Sequence, residues 1–167
     1  MARILLITGG ARSGKSTLAE ARTLELGSPA HYIATAQAFD AEMEARIALH
    51  RARRGPEWRT HAEPLALRAV LRATDDAPRL VDCLTLWLTN LMLGGHDWEA
   101  AAREMIDALP ALTAPVVFVS NEVGLGIVPD NRLSREFRDA AGFLNQWVAA
   151  AADEVIFTVA GLPMKVK

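Results

Sequence analysis

The chain alternates between short unbroken apolar runs and longer stretches where apolar and polar residues are mixed. Ile4-Leu5-Leu6-Ile7-Thr8 is such a run, and Gly9-Gly10 ends it. A run of strand length without polar interruption suits a strand covered on both faces, as in a parallel sheet. The same signal predicts strands over 31–35, 79–84, 115–120 and 155–159, with a shorter one over 58–60. Between them, mixed segments predict helices over 16–26, 38–54, 64–73, 86–93, 98–109 and 131–152. Gly27 and Pro29 stop the first helix, Gly55-Pro56 the second and Gly94-Gly95 the fourth. Residues 38–54 are rich in Ala, Glu, Met and Arg, which are strong helix formers. Pro64 suits the first turn of the helix it opens. Strands alternating with helices along the whole chain predict one α/β domain, residues 1–167, with a mostly parallel sheet covered by helices.

Composition narrows the class without changing the architecture. The chain has 167 residues, enough to bury a core without staples. It is 51% hydrophobic and 23% charged, with a formal net charge of -2. That balance gives no general attraction to nucleic acid or to an anionic membrane. The single cysteine, Cys83, rules out an intramolecular disulfide and fits a reducing cytoplasm. It lies in an apolar stretch and reads as an inert core thiol. The first apolar run stops at Gly9, too early for a secretory leader. No stretch approaches the roughly 20 apolar residues of a membrane span.

The chemistry begins where the first strand ends. Gly9-Gly10-Ala11-Arg12-Ser13-Gly14-Lys15-Ser16 matches G-x-x-x-x-G-K-[ST], the phosphate-binding P-loop. Glycines let successive backbone amides turn inward and form an anion nest. The helix that follows adds its positive end and its unpaired amides. Lys15 reaches the β- and γ-phosphates of a nucleotide, and the Ser16 hydroxyl ligates Mg²⁺. The alternative, a glycine turn with a surface lysine, fails the context test, because the motif follows a predicted strand and opens a predicted helix. Such sites use a second acidic residue at the end of another strand. Asp82, closing Arg79-Leu80-Val81-Asp82, is placed for that role; capping the next helix is its other reading.

Arg46, His50 and Arg54 are spaced i, i+4, i+8 and share a face of the predicted 38–54 helix. Arg51 and Arg53 lie beside that face. Cationic neighbours disfavour the imidazolium, and a neutral imidazole is a nucleophile. Guanidinium groups there would hold phosphate oxygens in forked contacts. Spacing alone favours a solvated arginine face with a surface histidine. His31 begins a strand, His61 falls in a short connection and His96 in a glycine turn. The segment Asn121-Glu122-Val123-Gly124-Leu125-Gly126-Ile127-Val128-Pro129 is too apolar for an ordinary exposed loop. It reads as the lining of a pocket for a bulky apolar ligand, a subunit contact, or a buried connection. Phe143 and Trp147, four residues apart on the last helix, read as core or subunit contact.

Taken together, these motifs resemble the bifunctional adenosylcobinamide kinase and adenosylcobinamide-phosphate guanylyltransferase family of cobalamin biosynthesis. Besides the P-loop, the matching segments are Tyr32-Ile33-Ala34-Thr35-Ala36, Asp40-Ala41-Glu42-Met43, Arg46-Ile47 through His50-Arg51, and Trp58-Arg59-Thr60. They continue with Val81-Asp82-Cys83-Leu84-Thr85-Leu86-Trp87, the Asn121 to Pro129 segment, Phe137-Arg138-Asp139, and the closing Gly161-Leu162-Pro163-Met164-Lys165-Val166-Lys167. The resemblance implies two reactions. ATP or GTP phosphorylates the aminopropanol hydroxyl of adenosylcobinamide. GTP then donates GMP to that phosphate, through a GMP-histidine intermediate, giving adenosylcobinamide-GDP and pyrophosphate. It implies His50 as the nucleophile, with Lys15 also catalytic. Its nucleotide contacts fall on the P-loop, on Ala34, Thr35 and Ala36, on Arg51, Arg53 and Arg54, and on Glu63 and Asp82. Some members carry Glu where this chain has Asp82, so metal or guanosine ribose stays open as its partner. Mg²⁺ would be held by Ser16 and Asp82. The resemblance further implies a P-loop fold assembled as a homotrimer.

Two other readings fit the residues taken alone. A plain P-loop small-molecule kinase would use Lys15, Ser16 and Asp82 and give His50 no role. A nucleotide-binding switch would lack its expected Asn-Lys-x-Asp guanine-reading segment, which does not occur here.

Overall fold

The computed structural model of the protein describes residues 1–37, 48 and 54–167. In chain order the described elements are β1 (Ile4–Gly9), α1 (Lys15–Leu26), β2 (Ala30–Ala34), β3 (Trp58–Ala62), α2 (Leu67–Ala73), β4 (Arg79–Asp82), α3 (Leu84–Leu93), α4 (Trp98–Ala108), β5 (Val116–Asn121), α5 (Arg132–Ala151), β6 (Glu154–Val159) and β7 (Leu162–Lys165). The strands form one sheet in the order β3-β2-β4-β5-β1-β6-β7. All pairs are parallel except β6 with β7.

The period of two along each strand divides the core. Ile4 and Leu6 of β1 join Ile33, Val81, Val116 and Phe118 on the face covered by α3, α4 and α5. Leu5 and Ile7 join Tyr32, Leu80, Val117 and Val119 on the face covered by α1. Each buried aliphatic side chain contributes roughly 1.5–3 kcal/mol, so a strand apolar at every position is held from both sides. Helices α4 and α5 are capped as their sequences dictate: Asp97 accepts from the Ala100 amide at 3.0 Å and Asn131 from the Ser134 amide at 2.8 Å. Trp147 packs against the core and stacks on Trp98, while Phe143 is exposed.

A buried ion pair anchors the start of β4. The Arg79 guanidinium is fully buried and meets Asp75 at 2.7 Å. It also donates to the carbonyls of Leu71 and Ala114. Asp75 in turn accepts from the amides of Thr113 and Ala114. One carboxylate thereby ties the loop before β4 to the loop before β5.

Several boundaries differ from expectation. The strand predicted over 79–84 ends at Asp82, and Cys83 is the N-cap of α3. His61 lies inside β3 and not in a connection. β6 is not the closing strand, because β7 returns antiparallel beyond it. Leu125, Ile127 and Val128 are exposed, so the segment after Asn121 is not a buried connection. Arg54, the last residue of the helix predicted over 38–54, is not helical.

Candidate active site

The P-loop is built by backbone geometry that few residues tolerate. Gly14 has φ 90° and is the N-cap of α1. A Cβ there would sit 3.1 Å from the Gly161 Cα. A Cβ on Gly9 would come within 2.6 Å of both the Ser13 Oγ and the Thr158 carbonyl oxygen. Arg12 also adopts a positive φ, 55°. Left-handed residues close to right-handed ones turn amides toward one point, which makes the nest. Among the described residues no side chain caps α1, and no acid occupies its first turn, so its leading amides are placed for an anion. The Ser13 carbonyl is held from the other side by the Gly161 amide at 2.9 Å. The β6–β7 turn therefore braces the loop from beneath.

Lys15 is buried, and its Nζ donates to the Gly10 carbonyl at 2.9 Å. The ammonium thus lies across the mouth of the nest. Ser16, in the first turn of α1, is half-buried. Gly10, Ala11, Arg12, Ser13 and Gly14 lie between these two elements as the motif predicts.

The other described candidates gather at the carboxyl ends of neighbouring strands. Ala34, the last residue of β2, pairs with Ala62 of β3 and with Asp82 of β4. Glu63 follows β3, and its amide donates to the Ala34 carbonyl at 2.9 Å. Its Oε1 accepts from the amides of Leu65 and Ala66, at 3.0 and 2.7 Å. Thr35 is fully buried, and its polar groups are spent on the fold. The Oγ1 bonds both the amide and the carbonyl of Cys83, its amide donates to the Asp82 carbonyl, and its carbonyl accepts from Asn90. Thr35 locks β2 to β4, and the half-buried Ala36 follows.

Asp82 does not cap α3, whose N-cap is Cys83 and which has no side-chain cap. Its carboxylate instead accepts from the Tyr32 hydroxyl, with Oδ2 at 2.5 Å. Burial, then the charge of Asp82, push the Tyr32 phenol far above its ordinary range, so it stays a donor. The Arg54 guanidinium lies over the Tyr32 ring, 3.6 Å from its centroid. Trp58 meets the same ring edge-on. Tyr32 was not among the sequence candidates. In the sequence it is an aromatic hydroxyl within a strand otherwise suited to apolar packing, at the head of the Tyr32 to Ala36 segment that carries the family resemblance. Cys83 is a buried thiol pushed up to about 11, chiefly by desolvation, which makes it inert.

His50, Arg51 and Arg53, with Arg46, lie outside the described residues. The described histidines serve elsewhere. His31 Nδ1 is 2.8 Å from His61 Nε2, and His31 Nε2 is 2.9 Å from Asp76. Desolvation, then the neighbouring His31, hold His61 below the ordinary imidazole range.

The site therefore has a phosphate nest on β1 and an oriented carboxylate on β4, separated by the single strand β5. The model of the family described as cobinamide kinase / cobinamide phosphate guanyltransferase matches residues 5–166. The chain belongs to this family. It is accordingly a bifunctional kinase and guanylyltransferase of cobalamin biosynthesis. It is 54% identical over 166 residues to the bifunctional adenosylcobalamin biosynthesis protein CobP of Pseudomonas aeruginosa, covering 97% of this chain and 96% of the relative. It is 46% identical to the bifunctional adenosylcobalamin biosynthesis protein CobU of Salmonella typhimurium, covering 98% and 99%. The protein of the same name from Escherichia coli is 44% identical, again covering 98% and 99%.

Solved structures agree on the fold alone. The flagellar accessory protein FlaH from Methanocaldococcus jannaschii superposes with TM-score 0.55 at 14% identity, over 99% of this chain and 78% of that one. The KaiC-like protein PH0186 from Pyrococcus horikoshii gives 0.54 at 13%, over 93% and 71%. Among the described residues no helix is long and apolar enough to cross a membrane.

Proposed function

We propose that this chain, acting as a single domain over 1–167, runs both family reactions on one phosphate-binding loop. In the first, ATP or GTP gives its γ-phosphoryl group to the aminopropanol hydroxyl of adenosylcobinamide. In the second, His50 attacks the α-phosphate of GTP, pyrophosphate leaves, and the GMP passes to adenosylcobinamide phosphate. The observation that carries the reading is the P-loop with Lys15 laid across its mouth, in a chain that matches the family over 5–166. Lys15 meets charge on the departing phosphates. Arg51, Arg53 and Arg54 are assigned to the nucleotide beside His50. Ala34, Thr35, Ala36 and Glu63 are assigned to the nucleotide at the neighbouring strand ends, Thr35 through the fold it locks.

Mg²⁺ fits the donor set. Ser16 and Asp82 offer hard oxygen atoms, and Tyr32 takes one Asp82 oxygen and so fixes the direction of the other. Among the described residues no group of three or more His, Cys, Asp or Glu could hold a metal alone. The ion would be shared with nucleotide phosphates, whose charge it would offset. A cytoplasmic homotrimer is part of the same reading. The exposed apolar residues Leu125, Ile127 and Val128 support a subunit contact, and the net charge of -2 gives no pull toward nucleic acid.

The test is product formation from adenosylcobinamide, ATP and GTP, resolved by chromatography into the phosphate and the GDP adduct. Wild type forms both, and Lys15→Ala forms neither at a comparable rate. Full phosphorylation by Lys15→Ala would overturn the reading.

A further inference from the structure

A hydroxyl is a poor nucleophile until something takes its proton, and the residues assigned so far leave that task unfilled. Three described carboxylates stand at the carboxyl ends of parallel strands β3, β4 and β5. Strand spacing of about 4.8 Å places Glu63, after β3, about 19 Å across the sheet from β1, and Asp82 about 10 Å from it. Glu63 spends an oxygen on two backbone amides, and Asp82 holds the Tyr32 hydroxyl.

The third is Glu122. It follows β5, the strand inserted between the P-loop strand and the Asp82 strand. Asn121 pairs with Gly9, and the Glu122 amide donates to the Gly9 carbonyl at 3.0 Å. The residue is thus stitched to the one that opens the phosphate loop. Its Oε1 accepts from the Gly124 amide at 2.6 Å, which fixes the carboxylate and leaves Oε2 as its second acceptor. The side chain is half-exposed at the root of an exposed loop, so an acceptor molecule can reach it.

We propose that Glu122 is the general base of the phosphorylation step. This rests on the kinase reading above. The acceptor oxygen forms its bond to the γ-phosphorus as the bond to the β–γ bridging oxygen breaks. The hydroxyl proton passes to the Glu122 carboxylate and then to solvent. The nucleoside diphosphate leaves with the bonding electron pair, its charge met by Lys15. The second reaction makes a different demand. Its acceptor is a phosphate, already anionic, and needs no base.

That difference supplies the test. Glu122→Gln keeps an oxygen acceptor for the Gly124 amide, so the loop is retained while the base is lost. The two half-reactions are measured separately: phosphorylation of adenosylcobinamide by ATP, and GMP transfer from GTP to supplied adenosylcobinamide phosphate. Glu122→Gln lowers kcat of phosphorylation by about 10²–10⁴-fold, the range for a positioned base, and leaves GMP transfer at the wild-type rate. Glu122→Asp, which keeps a carboxylate, recovers part of the phosphorylation rate. An equal loss in both half-reactions, or undiminished phosphorylation by Glu122→Gln, overturns the assignment. A wild-type enzyme that transfers GMP but cannot phosphorylate overturns the kinase reading and this one with it. An active wild type with an unaffected variant overturns this one alone.

Discussion

Replacing Tyr32 with phenylalanine isolates one bond in the site. The substitution deletes the hydroxyl that donates to Asp82 at 2.5 Å and keeps the ring on which Arg54 lies. A hydrogen bond to a charged acceptor contributes about 1.5–3 kcal/mol, and each 1.4 kcal/mol is tenfold. If that energy serves to aim the carboxylate, kcat/KM with magnesium nucleotide falls by about 10–100-fold, following the same magnitudes. Stability changes less, because Asp82 is only half-buried and water can replace the donor. The assay is steady-state phosphorylation at varied Mg²⁺, with Asp82→Asn and the double variant alongside. Coupled residues give a non-additive cycle, so Tyr32→Phe should cost little once Asp82 is gone. Wild-type kinetics in Tyr32→Phe at every Mg²⁺ concentration would refute the argument that the tyrosine orients Asp82. Additive losses in the double variant would refute it equally.

Two further substitutions probe the fold that holds the site. Asp75→Asn leaves the fully buried Arg79 without its ionic partner, and unfolding in urea should show a loss of about 3–5 kcal/mol. Burial pushes the Asp75 carboxyl up, but bonds from Ala114 and Thr113 and the charge of Arg79 outweigh it, so the net shift is downward. Its stabilisation is therefore full above the ordinary carboxylate pKa and is lost as pH falls through the depressed one; an acid titration of stability that is unchanged in Asp75→Asn would contradict this. Gly14→Ala puts a Cβ at φ 90° and 3.1 Å from the Gly161 Cα, so it should cost about 1–3 kcal/mol of stability and weaken nucleotide binding, measured by calorimetry.

The phosphate loop was legible in the sequence because its physics is local. Its glycines, its lysine and the strand before it occupy consecutive positions, and a short motif records them all. The parallel sheet was legible for a similar reason, since β1 and β5 must be apolar at nearly every position to be covered on both faces. β7 was not, because it is an exposed edge strand containing Pro163, without the apolar run that marks a central strand. The Tyr32–Asp82 bond joins residues on neighbouring strands far apart in the chain, and no spacing rule records such a contact. Glu122 was hidden in the same way. It reads as one polar residue ahead of an apolar loop, and only the insertion of β5 between β1 and β4 brings it to the phosphate loop. The apolar loop itself was misleading, since its hydrophobicity suggested cover that the fold of one chain does not give it.

In the proposed mechanism the loop that supplies phosphate to a hydroxyl also supplies GMP to a histidine. Incubation with GTP labelled at the α-phosphate, followed by denaturation, tests it directly. Wild type should retain label in an adduct that acid releases and base does not, as expected of a phosphoramidate. His50→Ala should retain none while still phosphorylating adenosylcobinamide. Equal labelling of the two proteins would exclude His50 as the nucleophile.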